Sequence, residues 1–187
     1  YSHFCIKRRH RTTGKLETHD IMTLLNVDVK IGGYVLAKRL QMILGKIINV
    51  DQSGYIKNRY IGLNIRLIED IIEYSDKLEI DSAILFLDFK KAFDMVEWNF
   101  MLSVLEYFGF GRSFIKWVQT FYTNISCSIT NNNWISEPIQ MSRGIRQGCP
   151  LSALLFILVV EVLALIIRNN KKITGIKQIG RASCRER

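Results

Sequence analysis

The chain reads as an α+β domain in which helices come first and a mixed helix and antiparallel-strand segment follows. Three patterns predict this order. Apolar residues recur at helical spacing up to residue 77, five apolar residues stand in a row at 83–87, and apolar and polar residues alternate over 125–129 before a run of three asparagines. With 187 residues, 48% of them hydrophobic, 23% charged and only two prolines, the chain is long enough for one domain and apolar enough for a core. That composition excludes a disordered chain.

The elements follow in order. Asn26 stands where it can cap a helix running to about Ile48, with Val27, Ile31, Val35, Leu40, Leu44 and Ile47 at helical spacing. Gly32 and Gly33 lie inside it and cost about 2 kcal/mol relative to two alanines, so packing must hold the helix or it breaks there. The stretch 51–60, DQSGYIKNRY, is a polar, turn-rich loop. In the next helix Ile61, Ile65, Ile68 and Ile72 form one face, with Glu69, Asp70 and Glu73 opposite. The run 83–87 predicts a buried strand. Asp94 and Glu97 have capping-box spacing and would start a helix bearing Trp98, Leu102 and Leu105, stopped by Gly109. Ser113 would cap a helix carrying Phe114, Trp117, Val118 and Phe121. Ile125, Cys127 and Ile129 read as a half-buried strand, Asn131, Asn132 and Asn133 as its turn, and Trp134-Ile135 as the return strand. After a loop over 142–150, Ser152 would cap a long apolar helix.

That last helix, 151–167, approaches the composition of a membrane span. At 17 residues it is short, and Glu161 inside it would cost about 3 kcal/mol at a bilayer centre, so a helix buried in a protein core is expected, and no membrane partner. The first residues are polar and basic with no apolar run behind them, so no signal peptide is expected. Cys5, Cys127, Cys149 and Cys184 show no CxxC spacing, and His3, His10 and His19 crowd the N-terminus. Neither a zinc site nor a disulfide framework is expected, and a reduced intracellular compartment is the default.

The net charge of +9 is carried by the two ends. The middle is polarised instead: seven Lys/Arg against Asp51 alone over 30–66, then ten acids against three lysines over 67–106. A basic lobe beside an acidic one suits a protein that holds a polyanion together with metal cations. The competing reading is two helices with differently charged solvent faces.

Three segments can carry chemistry. The 83–87 run leads straight into Asp88, in FLDFKKAFD. A strand buried on both faces can end at a cleft, and a carboxylate on so stiff a support is what metal positioning needs. Mg²⁺ is held by one or two carboxylates plus substrate phosphates, and two such ions can clamp a phosphoryl transfer. Asp88 capping the following turn is the bland alternative. Phe93, after the small Ala92, offers a flat pocket floor or simply another core ring. In SRGIRQGCPLS, Gly144 and Gly148 admit a close ligand, Arg143 and Arg146 can meet phosphates, and Gln147 offers both donors and acceptors. The loop is no Walker A, because it lacks the GK[ST] ending. Cys149 reads as a packed thiol.

Taken together, LLNVDVKI (24–31), AKRL (37–40), DQSGYIKNRYIGLNIR (51–66), FLDFKKAFDMVEW (86–98) and SRGIRQGCPLSALLF (142–156) resemble the reverse transcriptase of non-LTR retrotransposons, the long interspersed elements. The likeness covers roughly residues 22–178. It implies a right-hand polymerase: a poorly matching segment 1–21, fingers over 22–82, a partial palm over 83–178, and a tail, 179–187. By that likeness Asp88 is a metal-binding carboxylate helped by the Phe89 carbonyl, and Phe93 is the steric gate beneath the sugar. Gln147 and Gly148, with Arg143 and Arg146, would lie near the incoming nucleotide, and Lys57, Arg59 and Arg66 would contact template backbone. The implied reaction joins a deoxynucleotide to a primer 3′-OH on an RNA template with Mg²⁺; the partners are RNA template, DNA primer and dNTP.

The chain also departs from the family. Asp20-Ile21 stands where Arg-Pro is usual, Asn58 where glycine is usual, and Ala153 where proline is usual. The aromatic-Ala-Asp-Asp turn that supplies the second metal motif would follow residue 178, and no Asp-Asp pair occurs in these 187 residues. The tail IGRASCRER resembles a translated sequencing adapter. The expectation is therefore a truncated fragment that does not polymerise by itself. A non-catalytic RNA-binding remnant, a group II intron maturase and an unrelated α/β domain are the rivals.

Overall fold

A computed structural model describes residues 3–8, 21–131 and 134–176. The chain runs β1 (His3–Arg8), β2 (Ile21–Leu24), α1 (Val27–Ile47), α2 (Gly62–Lys77), α3 (Trp98–Tyr107), α4 (Arg112–Phe121), β3 (Ser126–Asn131), β4 (Trp134–Ile135), β5 (Ile139–Gln140) and α5 (Ser152–Asn169). This is an α+β domain with a small mixed sheet in the order β2-β1-β3-β4, with β5 also pairing β3. Contrary to the expected order of helices first and antiparallel strands after, two strands precede α1 and one pair is parallel. β1 runs antiparallel to β2, with Cys5 opposite Leu24, and parallel to β3, with His3 opposite Ser126. β4 and β5 return antiparallel on β3. Trp134-Ile135 is thus the return strand that the alternation predicts. Of its three turn asparagines, the last two lie outside the described residues, as does the tail 179–187.

The helices build the core. α5 packs on α3 and α1, and α3 on α4. Leu40 and Leu44 of α1, Met101 and Leu105 of α3, Val118 of α4, and Leu155 and Leu158 of α5 are fully buried. α1 runs unbroken through Gly32-Gly33 because tertiary contacts use both positions. A Cβ on Gly32 would stand 2.8 Å from the Phe121 ring, and one on Gly33 would stand 2.7 Å from Cys149 Sγ. The pair lets α4 and the 142–150 loop approach the α1 backbone, which offsets its poor helix propensity.

Several local expectations are corrected. α3 starts at Trp98 with Glu97 at the cap position, while the Asp94 N–H closes a turn onto the Lys91 carbonyl at 2.9 Å. Ser113 sits inside α4, which Gly111 precedes, and Ser152 is the first residue of α5, not its cap. Gly109 does stop α3: its N–H donates to Glu106 O (2.9 Å) and Phe110 N–H to Leu105 O (3.0 Å), a Schellman pair. α2 turns its Asn64, Leu67, Ile68, Ile71 and Ser75 side inward, leaving Ile61, Ile65 and Ile72 exposed. The buried face is rotated from the expected one, with Ile68 common to both.

The largest correction concerns 83–87. Residues 80–89 form no strand, and Leu85 and Phe86 are 79% and 77% exposed. An apolar run becomes a buried strand only where neighbouring strands complete its ladder. The described sheet is assembled from β1–β5 and does not include this run. α5 has the length and composition to cross a bilayer, but its N-terminal part is core, with Leu154, Leu155, Ile157, Leu158 and Glu161 buried. Its last turns are open, with Ile166 61% exposed.

Candidate nucleotide and template site

The site is built where the segment after Asp88 meets the 142–150 loop. Residues 90–95 coil into turns, and the chain then runs beside the second loop: Ile145 N–H donates to Phe93 O and Gly144 N–H to Val96 O, both at 2.8 Å. The Trp98 indole N–H donates to Gly144 O at 2.7 Å. Gly144 has φ +95°, and a Cβ there would lie 3.2 Å from Asp94 O, so the approach requires glycine. Gln147 Nε2 donates to Asp94 Oδ1 at 3.4 Å. Two motifs about fifty residues apart are thereby laced together.

Their shared floor is aromatic. Phe93 stacks on Phe156 of α5, with ring centroids 5.0 Å apart and planes at 26°, and Phe89 meets Phe156 edge-on at 6.2 Å. Phe93 is half-buried. Asp88, Gln147 and Gly148 are exposed. Arg143 is exposed too and, with Glu97, Trp98, Asn99 and Ser142, lines a polar depression of about 250 Å³.

Arg146 is placed differently from Arg143. Expected at the surface to meet phosphates, it is only 4% exposed, and its guanidinium lies 5.9 Å from the centre of the Tyr122 ring. Burial pulls its pKa below the usual arginine range. Tyr122, 4% exposed, has its phenol pushed up to about 12, mainly by burial. This pair braces the loop from beneath. Sequence reading missed it because an arginine in a glycine-rich loop carries no mark of burial. It also missed Trp98 and Asp94 as partners of the loop.

In the basic region Lys57 is exposed on its turn, and Lys38 lies 5.2 Å over the Tyr34 ring. Asn58 has φ +65°, left-handed backbone that asparagine tolerates better than most residues. Arg66 is exposed but pairs with Asp70 (3.0 Å) and Glu69 (3.6 Å). Arg59 is only half exposed and faces backbone carbonyls at the end of α1.

Mg²⁺ requires near-octahedral oxygen coordination. Among the described residues no three His, Cys, Asp or Glu side chains converge to hold a metal ion. Asp88 and the Phe89 carbonyl are two donors, and the donor set present does not make a complete metal site.

Comparison with known proteins defines the class as a nucleic-acid polymerase. The chain belongs to the reverse transcriptase family: the profile described as "Reverse transcriptase (RNA-dependent DNA polymerase)" matches residues 16–178. The chain is 34% identical over 155 residues to the "Transposon TX1 uncharacterized 149 kDa protein" of Xenopus laevis, covering 83% of this chain and 12% of the relative. It is 30% identical over 133 residues to the "Retrovirus-related Pol polyprotein from type-2 retrotransposable element R2DM" of Drosophila melanogaster, covering 68% of this chain and 13% of that one. A type-1 element R2 polyprotein of Nasonia vitripennis is 31% identical over 139 residues, again 13% of its length. The non-LTR retrotransposon reading therefore holds, and the chain spans only about an eighth of the length of these relatives.

Proposed function

We propose that these residues form the fingers and part of the palm of an RNA-directed DNA polymerase, the part that receives the template and the incoming deoxynucleotide. The lacing of the 93–96 segment to Gly144, Ile145 and Gln147 carries this reading, because it brings an exposed glutamine-glycine turn beside the half-buried Phe93 ring. In this proposal Phe93 lies under the sugar and disfavours a 2′-OH, while Gln147 and Gly148 contact the nucleotide and Arg143 its phosphates. Lys57 and Arg66 meet template backbone. Asp88, with the Phe89 carbonyl, is a partial Mg²⁺ ligand, and further carboxylates must come from outside the described residues. Mg²⁺, when bound, would supply charge stabilisation for phosphoryl transfer. Arg146 acts through the loop it braces.

The 187-residue polypeptide is accordingly expected to bind RNA and not to extend a primer. Extension of a labelled DNA primer on an RNA template with Mg²⁺ and dNTPs by the purified chain would overturn that expectation. In a longer polypeptide that supplies the remaining carboxylates, Asp88→Ala is expected to abolish extension and leave RNA binding intact; retained extension would remove Asp88 from the reaction. The basic 30–66 region, with Lys57 exposed and Lys38 over Tyr34, favours a second reading, a binding remnant that needs no metal. Under that reading Asp88→Ala has no effect in either polypeptide.

A further inference from the structure

The end of α1 is held from two sides. The last carbonyls of a helix have no intrahelical donors, and the negative end of its dipole attracts a cation. Arg59 supplies both needs. Its Nη1 donates to Asn49 O and to Gln52 O (2.7 Å), and its Nη2 donates to Ile48 O (2.9 Å) and Gly45 O (3.2 Å). Gly45 O is available because the Asn49 N–H that would close the next helical turn donates elsewhere, to Glu161 Oε1 of α5 at 3.3 Å. Glu161 is 3% exposed, and the same oxygen accepts from Arg168 Nη1 at 2.8 Å. One polar chain thus joins the 51–60 loop, the α1 end and α5, with Asn49 as its junction.

We propose that Arg59 is a positioning residue and not a template contact: with Glu161 it clamps the α1 end and fixes the 51–60 loop, so that Lys57, two residues earlier, is held out toward RNA phosphate. The role of Lys57 rests on the RNA-binding reading above; the clamp itself does not. A guanidinium committed to four carbonyls has no free fork for a phosphate. A lysine cannot replace it, because a single ammonium cannot reach carbonyls spread from Gly45 to Gln52.

The test uses the 187-residue chain, a labelled single-stranded RNA of mixed sequence, and a KCl titration. Lys57→Gln should flatten the slope of log K against log [KCl] by about 0.7, the loss of one single-strand phosphate contact. Arg59→Lys and Arg59→Met should both weaken binding several-fold with the slope unchanged. Both should also speed chymotrypsin cleavage after Tyr55 and Tyr60, which Lys57→Gln should not. The proposal is overturned if Arg59→Met flattens the slope as Lys57→Gln does, Arg59→Lys restores it, and cleavage stays at the parent rate. If the parent binds no RNA, the functional reading fails, and cleavage alone decides the clamp: faster in the Arg59 variants upholds it, unchanged overturns it. If the Arg59 variants do not fold, hydrogen exchange of the parent decides. The Asn49 amide, beyond the helix end, should be as protected as the last turn of α1, and rapid exchange there would overturn the clamp.

Discussion

The 142–150 loop and the 80–89 segment are both non-helical, both carry residues assigned to the reaction, and are held in opposite ways. The first is fixed from every side. Backbone bonds tie it to Phe93 and Val96, the Trp98 indole holds Gly144, and Arg146 is sunk beside Tyr122. The second has no ladder, and it displays Leu85, Phe86 and Leu87 to solvent. The difference follows from chemistry. A loop rich in glycine and polar groups completes its hydrogen bonds with whatever is adjacent, while an apolar extended run is satisfied only by strands on both sides. Of the two halves of the candidate site, the 142–150 loop is therefore built by these residues, and the support of Asp88 is not.

The sharpest way to break this contrast is to spoil the brace. Gly144→Ala places a side chain at φ +95° and 3.2 Å from Asp94 O, backbone on both sides. A loss of about 2 to 3 kcal/mol is expected in urea denaturation. A loss below about 0.5 kcal/mol would mean that the two loops are not laced as described.

Tyr122 offers a smaller and independent handle. Its phenol is pushed up to about 12 from an ordinary value near 10, so the folded chain holds its proton more tightly than the unfolded chain does. The stability contributed by the neutral phenol is complete below pH 10 and is lost as pH rises toward 12, on the order of 2 kcal/mol in all. Lysines titrate in the same window, so the comparison is with Tyr122→Phe. The variant should lose less stability than the parent between about pH 10 and pH 12, the span over which the two pKa values differ. Parallel loss in both would show that the phenol is not the buried group here.

These regions also show what sequence reasoning can and cannot see. α1 is readable in its extent, but only Leu40 and Leu44 of the expected stripe are buried: its first turns bury Gly33, Leu36 and Ala37 and leave Val27, Ile31 and Val35 exposed. α3 ends at Gly109 because left-handed backbone selects glycine. The pairing of FLDFKKAFD with SRGIRQG is readable only through the family likeness, since nothing in either stretch names its partner. Arg59 and Arg146 are the instructive failures. Both look like surface cations, yet one closes a helix end and the other lies in the core, because a guanidinium's partners are backbone carbonyls and rings set by tertiary placement. The 83–87 run failed for the converse reason: its pattern is that of a central strand, but centrality belongs to the sheet around it.

The smallest expected effect on folding tests the unbraced side. Phe86 is 77% exposed, so Phe86→Ser should change the urea midpoint by an amount equivalent to less than about 0.5 kcal/mol. Self-association should respond instead. Leu85, Phe86 and Leu87 form a contiguous exposed apolar stretch outside any helix or strand, the kind of surface that associates with another copy. Sedimentation and light scattering of the variant should therefore show less aggregate at equal concentration. A destabilisation of about 2 kcal/mol or more would be the informative surprise. It would mean that Phe86 is packed inside a sheet, and that Asp88 stands at the tip of a buried strand after all.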